Sequence, residues 1–97
     1  MMKKVTVKEF AQDVKNMEIE VMPEEFEGVM VGLSKAHVSY NEEDKELSFY
    51  TGDYNYGGNA SMIVKTVVIE SIYKDDKEYH FTLKDDVTFS VYETPEI

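Results

Sequence analysis

The chain has no cysteine, no arginine, and no uninterrupted apolar stretch longer than three residues, as at Val67 to Ile69. Each absence removes a class of structure or function. Without cysteine there is no disulfide, and no metal site can be built on thiolates. Without arginine the surface lacks the guanidinium fork that matches two phosphate oxygens at once. All ten cations are lysines, so direct nucleic-acid binding is not expected. A bilayer-spanning helix needs ~20 apolar residues, so no membrane partner is expected either. Met1-Met2-Lys3-Lys4 has the positive start of a signal peptide, but no apolar run follows it, and a cytoplasmic location is the expectation. Positive charge is scarce as well: twenty carboxylates face ten lysines, a net charge of −10. At long range that charge repels polyanions and favours basic protein surfaces.

What is present is enough to fold. Hydrophobic residues make up 42% and aromatic residues 12%, with seven Tyr and five Phe, an apolar content that disordered acidic tails lack. The 97 residues read as one domain, 1–97, able to bury roughly 60–65% of the surface that its unfolded chain exposes. No repeat or Pro/Gly/Ser linker marks a second domain.

The acidity is uneven along the chain. Residues 1–15 carry a net +2, residues 16–64 a net −8 and residues 65–97 a net −4. The middle segment therefore holds most of the excess. Glu18 and Glu20 lie two residues apart on one face of a predicted strand, about 7 Å from each other. Glu24, Glu25 and Glu27, then Glu42, Glu43 and Asp44, continue the charge through loops. Single-strand phosphates follow one another at about 3.4 Å, so a partner that tracks a nucleic-acid backbone would meet a comparable density of negative charge here. The plainer alternative is a solvated face whose charges keep sheet edges from aggregating.

The clearest local signal is a helix start. Thr6 and Glu9 form a capping box, and Val5 with Phe10 occupy the two positions of a hydrophobic staple. The spacing of Val7, Phe10, Ala11, Val14 and Met17 predicts an amphipathic helix from Val7 onward, laid on a sheet. The period then changes to two. Ile19 and Val21 predict a strand ended by Pro23, followed by an acidic connection over 24–28. Val29, Val31 and Leu33 share one strand face, while Ala36, Val38 and Tyr40 share the opposite parity. A bulge or bend near Ser34-Lys35 must swap the faces. Asn41 to Lys45 reads as a hairpin loop into Leu47-Ser48-Phe49-Tyr50.

Met62 to Tyr73 reads as one long strand with apolar residues on both faces, the mark of a central position. Turns at Lys74 to Lys77 and Lys84 to Asp86 then join the alternating runs Tyr79-Phe81-Leu83 and Val87-Phe89-Val91 into a three-strand meander. The expected fold is α+β: one N-terminal amphipathic helix packed on an antiparallel sheet of about six strands. That sheet is either flat or curled into a small open barrel, and strand order is left undetermined.

Candidate chemistry is sparse. His37 and His80 fall on the polar parity of their strands, as solvated surface histidines do, and are not spaced as a metal pair. No nucleophile elbow is present, and Gly57-Gly58 does not lead into a helix as a phosphate cradle would. Asp75-Asp76 and Asp85-Asp86 sit in exposed turns, where a raised carboxyl pKa for acid catalysis is hard to arrange. Neither catalysis nor a cofactor nor a metal is expected. The loop 51–59, with Asp53, Tyr54, Tyr56 and three glycines, has the composition of an adaptable contact loop. It is equally the composition of a plain long turn.

In size, charge and lack of a catalytic motif the chain resembles the small acidic inhibitors that phages and mobile elements direct at host nucleic-acid enzymes. The resemblance is one of composition. It implies a non-enzymatic interaction protein that covers a basic partner surface, with Tyr54 and Tyr56 as anchors. The second reading is a small-molecule or ion-binding module, in which the loop 51–59 and the sheet enclose a polar ligand between subunits of a homo-oligomer.

Overall fold

The computed structural model describes residues 2–25, 32–51 and 61–95, with the backbone alone at 24, 25 and 61. The described elements are strand β1 (Met2–Lys4), helix α1 (Val7–Asp13) and strands β2 (Ile19–Glu25), β3 (Leu33–Asn41), β4 (Glu46–Thr51), β5 (Ser61–Lys65), β6 (Ile69–Asp75), β7 (Glu78–Leu83) and β8 (Thr88–Glu93). The strands form one antiparallel sheet in the order β1-β6-β7-β8-β2-β3-β4-β5. It has eight strands rather than about six, for two reasons. Met2–Lys4 adds a short strand ahead of the helix, pairing with β6. The long run Met62 to Tyr73 is split into β5 and β6 by a 3₁₀ turn at Thr66–Val68.

That split overturns the central position expected for this run. β5 pairs with β4 at one end of the strand order, and β6 lies next to β1 at the other. In a flat sheet six strand spacings would separate them, about 29 Å. Three connecting residues reach at most about 14 Å. The sheet must therefore curl until its two ends approach. The core shows the same curl directly, since Phe49 of β4 and Phe81 of β7 are four strands apart in the order yet their ring centroids lie 6.1 Å apart. Among the described residues the ladder stays open, and the chain itself bridges the gap.

The core fills the inside of this curl. Phe10 is fully buried and meets Phe49, Tyr79 and Phe81 at centroid distances of 6.1, 4.9 and 4.8 Å. Phe81 also stacks on Phe89 at 4.6 Å. Edge-on and offset pairs of this kind suit the quadrupoles of the rings as well as burying area. Ile19, Val21, Leu47, Ile72 and Val91 are the other large side chains that are fully buried among the described residues.

Helix α1 starts where the capping box places it. The Thr6 hydroxyl accepts from the Glu9 amide at 3.1 Å, and the Glu9 carboxylate accepts from the Thr6 amide at 3.0 Å. The helix ends a turn earlier than the apolar spacing predicts. Val14 is its C-cap, the following bonds reach back only three residues, and Met17 lies outside the core at 37% exposure.

The face swap in β3 is a bulge. Ile19 is opposite Ala36 and Val21 opposite Leu33, so two residues of β2 span three of β3. Lys35 adopts a positive φ of 54° there, and the buried set shifts from Leu33 to Ala36 and Val38. Val29 and Val31 lie outside the described residues. Pro23 does not end β2, which continues to Glu25, so Glu24 and Glu25 belong to a strand rather than to the acidic connection expected. Beyond Val21 the described part of β2 pairs with β8 alone, where a missing N–H is tolerated. The hairpin from β3 to β4 and the β6-β7-β8 meander form as their turn residues predict. Asn41 braces the first of these turns by accepting from the Asp44 amide at 3.0 Å and donating to the Asp44 carboxylate at 2.9 Å.

Candidate functional site

The carboxylates that adjoin in sequence are scattered by the sheet. Asn41 lies five residues beyond Ala36 along β3, about 17 Å past the Ile19 row, and Glu25 lies six residues from Ile19 in the opposite direction, about 20 Å. Glu42, Glu43 and Asp44 at the hairpin tip and the backbone of Glu24 and Glu25 thus stand toward opposite ends of the strands. Glu27, Asp53, Tyr54 and Tyr56 lie outside the described residues.

Glu20 is taken up by the fold. Its carboxylate accepts from the Lys35 amide at 2.7 Å, the Ser34 hydroxyl at 2.8 Å and the Thr94 hydroxyl at 2.7 Å. It thereby ties the bulge of β3 to the segment after β8. Partial burial alone would raise its pKa, but these three bonds and the Lys35 charge hold the carboxyl below its ordinary 4.5. Glu18 is exposed, and its carbonyl accepts from the Thr94 amide at 2.9 Å.

A different set of acids converges. Three surface grooves meet at Glu93. One runs along the β6–β7 turn and is lined by Asp75, Asp76 and Glu78; a second runs past Asn16 and Glu18. The third is a pocket of about 220 Å³ beneath the end of α1, with Asp13 on its rim. Among the described residues, six carboxylates line these grooves against Lys35, Lys74 and Lys77. Among the described residues, Glu18 is the one expected site residue that lines them. The meander register holds the signal for the others. Asp75 pairs with Glu78, Glu78 with Tyr92, and Glu93 with Ile19, so the ends of four strands fall on one edge.

The rim of the pocket is tied down. Tyr79 donates to the Asp13 carboxylate at 2.7 Å, the Lys74 ammonium lies 3.5 Å from the same carboxylate oxygen, and it stands 5.4 Å from the Tyr79 ring centroid. Burial, then the bond to Asp13 and its negative charge, push the Tyr79 hydroxyl well above its ordinary 10.0. It remains a protonated donor.

The two histidines stand apart. His37 sits on β3 beside Tyr50, and His80 sits on β7 with its Nδ1 3.5 Å from the Ser90 hydroxyl. They lie three places apart in the strand order, on strands that do not pair with each other. Among the described residues no three His, Asp or Glu side chains gather closely enough to hold a metal ion, and no helix is long and apolar enough to cross a membrane. The chain matches no protein-family model, no curated protein and no solved structure.

Proposed function

We propose that the protein is a non-enzymatic interaction protein that docks the acidic end of its sheet on a basic surface of a partner protein. One observation carries this reading. Carboxylates from α1, the segment before β2, the β6–β7 turn and β8 line grooves that share Glu93, and among the described residues they outnumber the lysines there two to one. A one-signed surface of this kind steers a basic partner during encounter and selects against acidic ones. A partner that handles nucleic acid, with a phosphate-tracking groove, has the complementary charge.

Affinity capture from a lysate at low and high salt tests the reading, with wild-type protein and a D76K/E78K/E93K variant as baits. The expected result is a set of basic proteins retained at low salt, released at high salt, and lost from the variant. An E24K/E25K bait, reversed at the other end of β2, should retain them. Capture indifferent to salt and to the first variant would sink the proposal.

A further inference from the structure

The pocket beneath the helix end differs from the grooves that join it. Val14 and Val91, both buried, line it together with Tyr79 and Met17. Its rim is balanced in charge, with Asp13 and Glu93 against Lys74 and Lys77. At about 220 Å³ it falls below the ~300–1,000 Å³ of clefts that hold drug-sized ligands. The space suits one large side chain. Its wall is held in place before anything binds, because Tyr79 is fixed by Asp13 and by the Lys74 ammonium. A preformed wall spares an incoming group the cost of ordering it. Met17, at 37% exposure, supplies a flexible thioether lip that adapts to the shape of an occupant.

The pocket also opens onto charge of one sign. It shares Lys77, Tyr92 and Glu93 with the groove along the β6–β7 turn, where four carboxylates face a single lysine. We infer that the pocket is an anchor site for an extended basic segment of the partner. An aromatic or long aliphatic side chain seats against Val14, Met17, Tyr79 and Val91. Neighbouring lysine or arginine side chains lie along Asp75, Asp76 and Glu78. The inference rests on the docking reading above and gives it a binding mode: an apolar anchor in a desolvated pocket, flanked by charge.

Titration of the isotope-labelled protein with the peptides Lys-Lys-Trp-Lys-Lys and Lys-Lys-Ala-Lys-Lys tests it by NMR. The tryptophan peptide should bind about tenfold or more tighter than the alanine peptide and shift the amides of Val14, Met17 and Val91. M17A should weaken the tryptophan peptide alone. D76N/E78Q should weaken both peptides and flatten their salt dependence. Both variants change side chains outside the core, and unchanged spectra elsewhere report that they fold. Equal affinities, with shifts confined to residues 75–78, would overturn the anchor while leaving the acidic docking face standing. Tight tryptophan binding indifferent to salt and to D76N/E78Q would support the anchor and remove the docking reading. No shift with either peptide at about 1 mM would overturn both.

Discussion

Glu20 turns its charge toward donors of its own chain. Three donors from β3 and from the segment after β8 converge on one carboxylate, and hydrogen bonds to an ionised group exceed neutral ones in net value. E20Q should therefore lower stability at neutral pH by about 1–2 kcal/mol in denaturant melts. Because the folded carboxyl titrates below its ordinary 4.5, its contribution is complete above that pH and is lost as pH falls through the lowered value. Wild type and E20Q should converge in acid, and a difference that persists there would contradict the clamp. Strand alternation places Glu20 beside Glu18, but it says nothing of the donors, which lie 14, 15 and 74 residues further along the chain.

The start of helix α1 and the bulge of β3 are both legible in the sequence, the first because it rests on contacts within a few residues, the second because the apolar parity changes along one strand. The capping box needs only Thr6 and Glu9, and T6A should cost about 1 kcal/mol, read as a lower midpoint in a thermal or denaturant melt. A midpoint unchanged by T6A would mean that packing of Phe10 alone holds the helix. The helix end was not legible. Met17 keeps the apolar spacing, yet the chain must leave the helix at Val14 to enter β2 at Ile19. The run Met62 to Tyr73 departs from its expected form for a related reason. Apolar residues on both parities mark a strand covered on both faces, but they equally suit a strand that turns a corner. Here Val64 and Ile72 face the core from two ends of the sheet, while Ile63 and Val67 on the same run are 57% and 69% exposed.

A net charge of −10 on 97 residues makes the folded molecule repel itself, and salt screens that repulsion. The melting temperature should rise with ionic strength. Recovery of about 1 kcal/mol corresponds to about 4–8 °C for a domain of this size. A melting temperature that is flat or falls with salt would show that the carboxylates are compensated locally.

The same charge, counted along the chain, concentrates between residues 16 and 64. Assembly of the sheet redistributes it. Glu42 to Asp44 go to a hairpin tip, Glu20 is enclosed by donors, and the converging set draws Asp13, Asp75, Asp76, Glu78 and Glu93 from outside that segment.

Caps, turns, the β3 bulge, the three-strand meander and the excess of carboxylate over lysine follow from the chain alone, since they depend on neighbours a few residues apart or on composition. Which carboxylates share a surface, which one is taken up internally, and where a pocket opens depend on strand order and curl. Those are set by packing of Phe10, Phe49, Phe81 and Phe89, in ring pairs up to 71 positions apart. Burial of apolar area is non-directional, so no local pattern announces which rings will meet, and the site follows from that meeting.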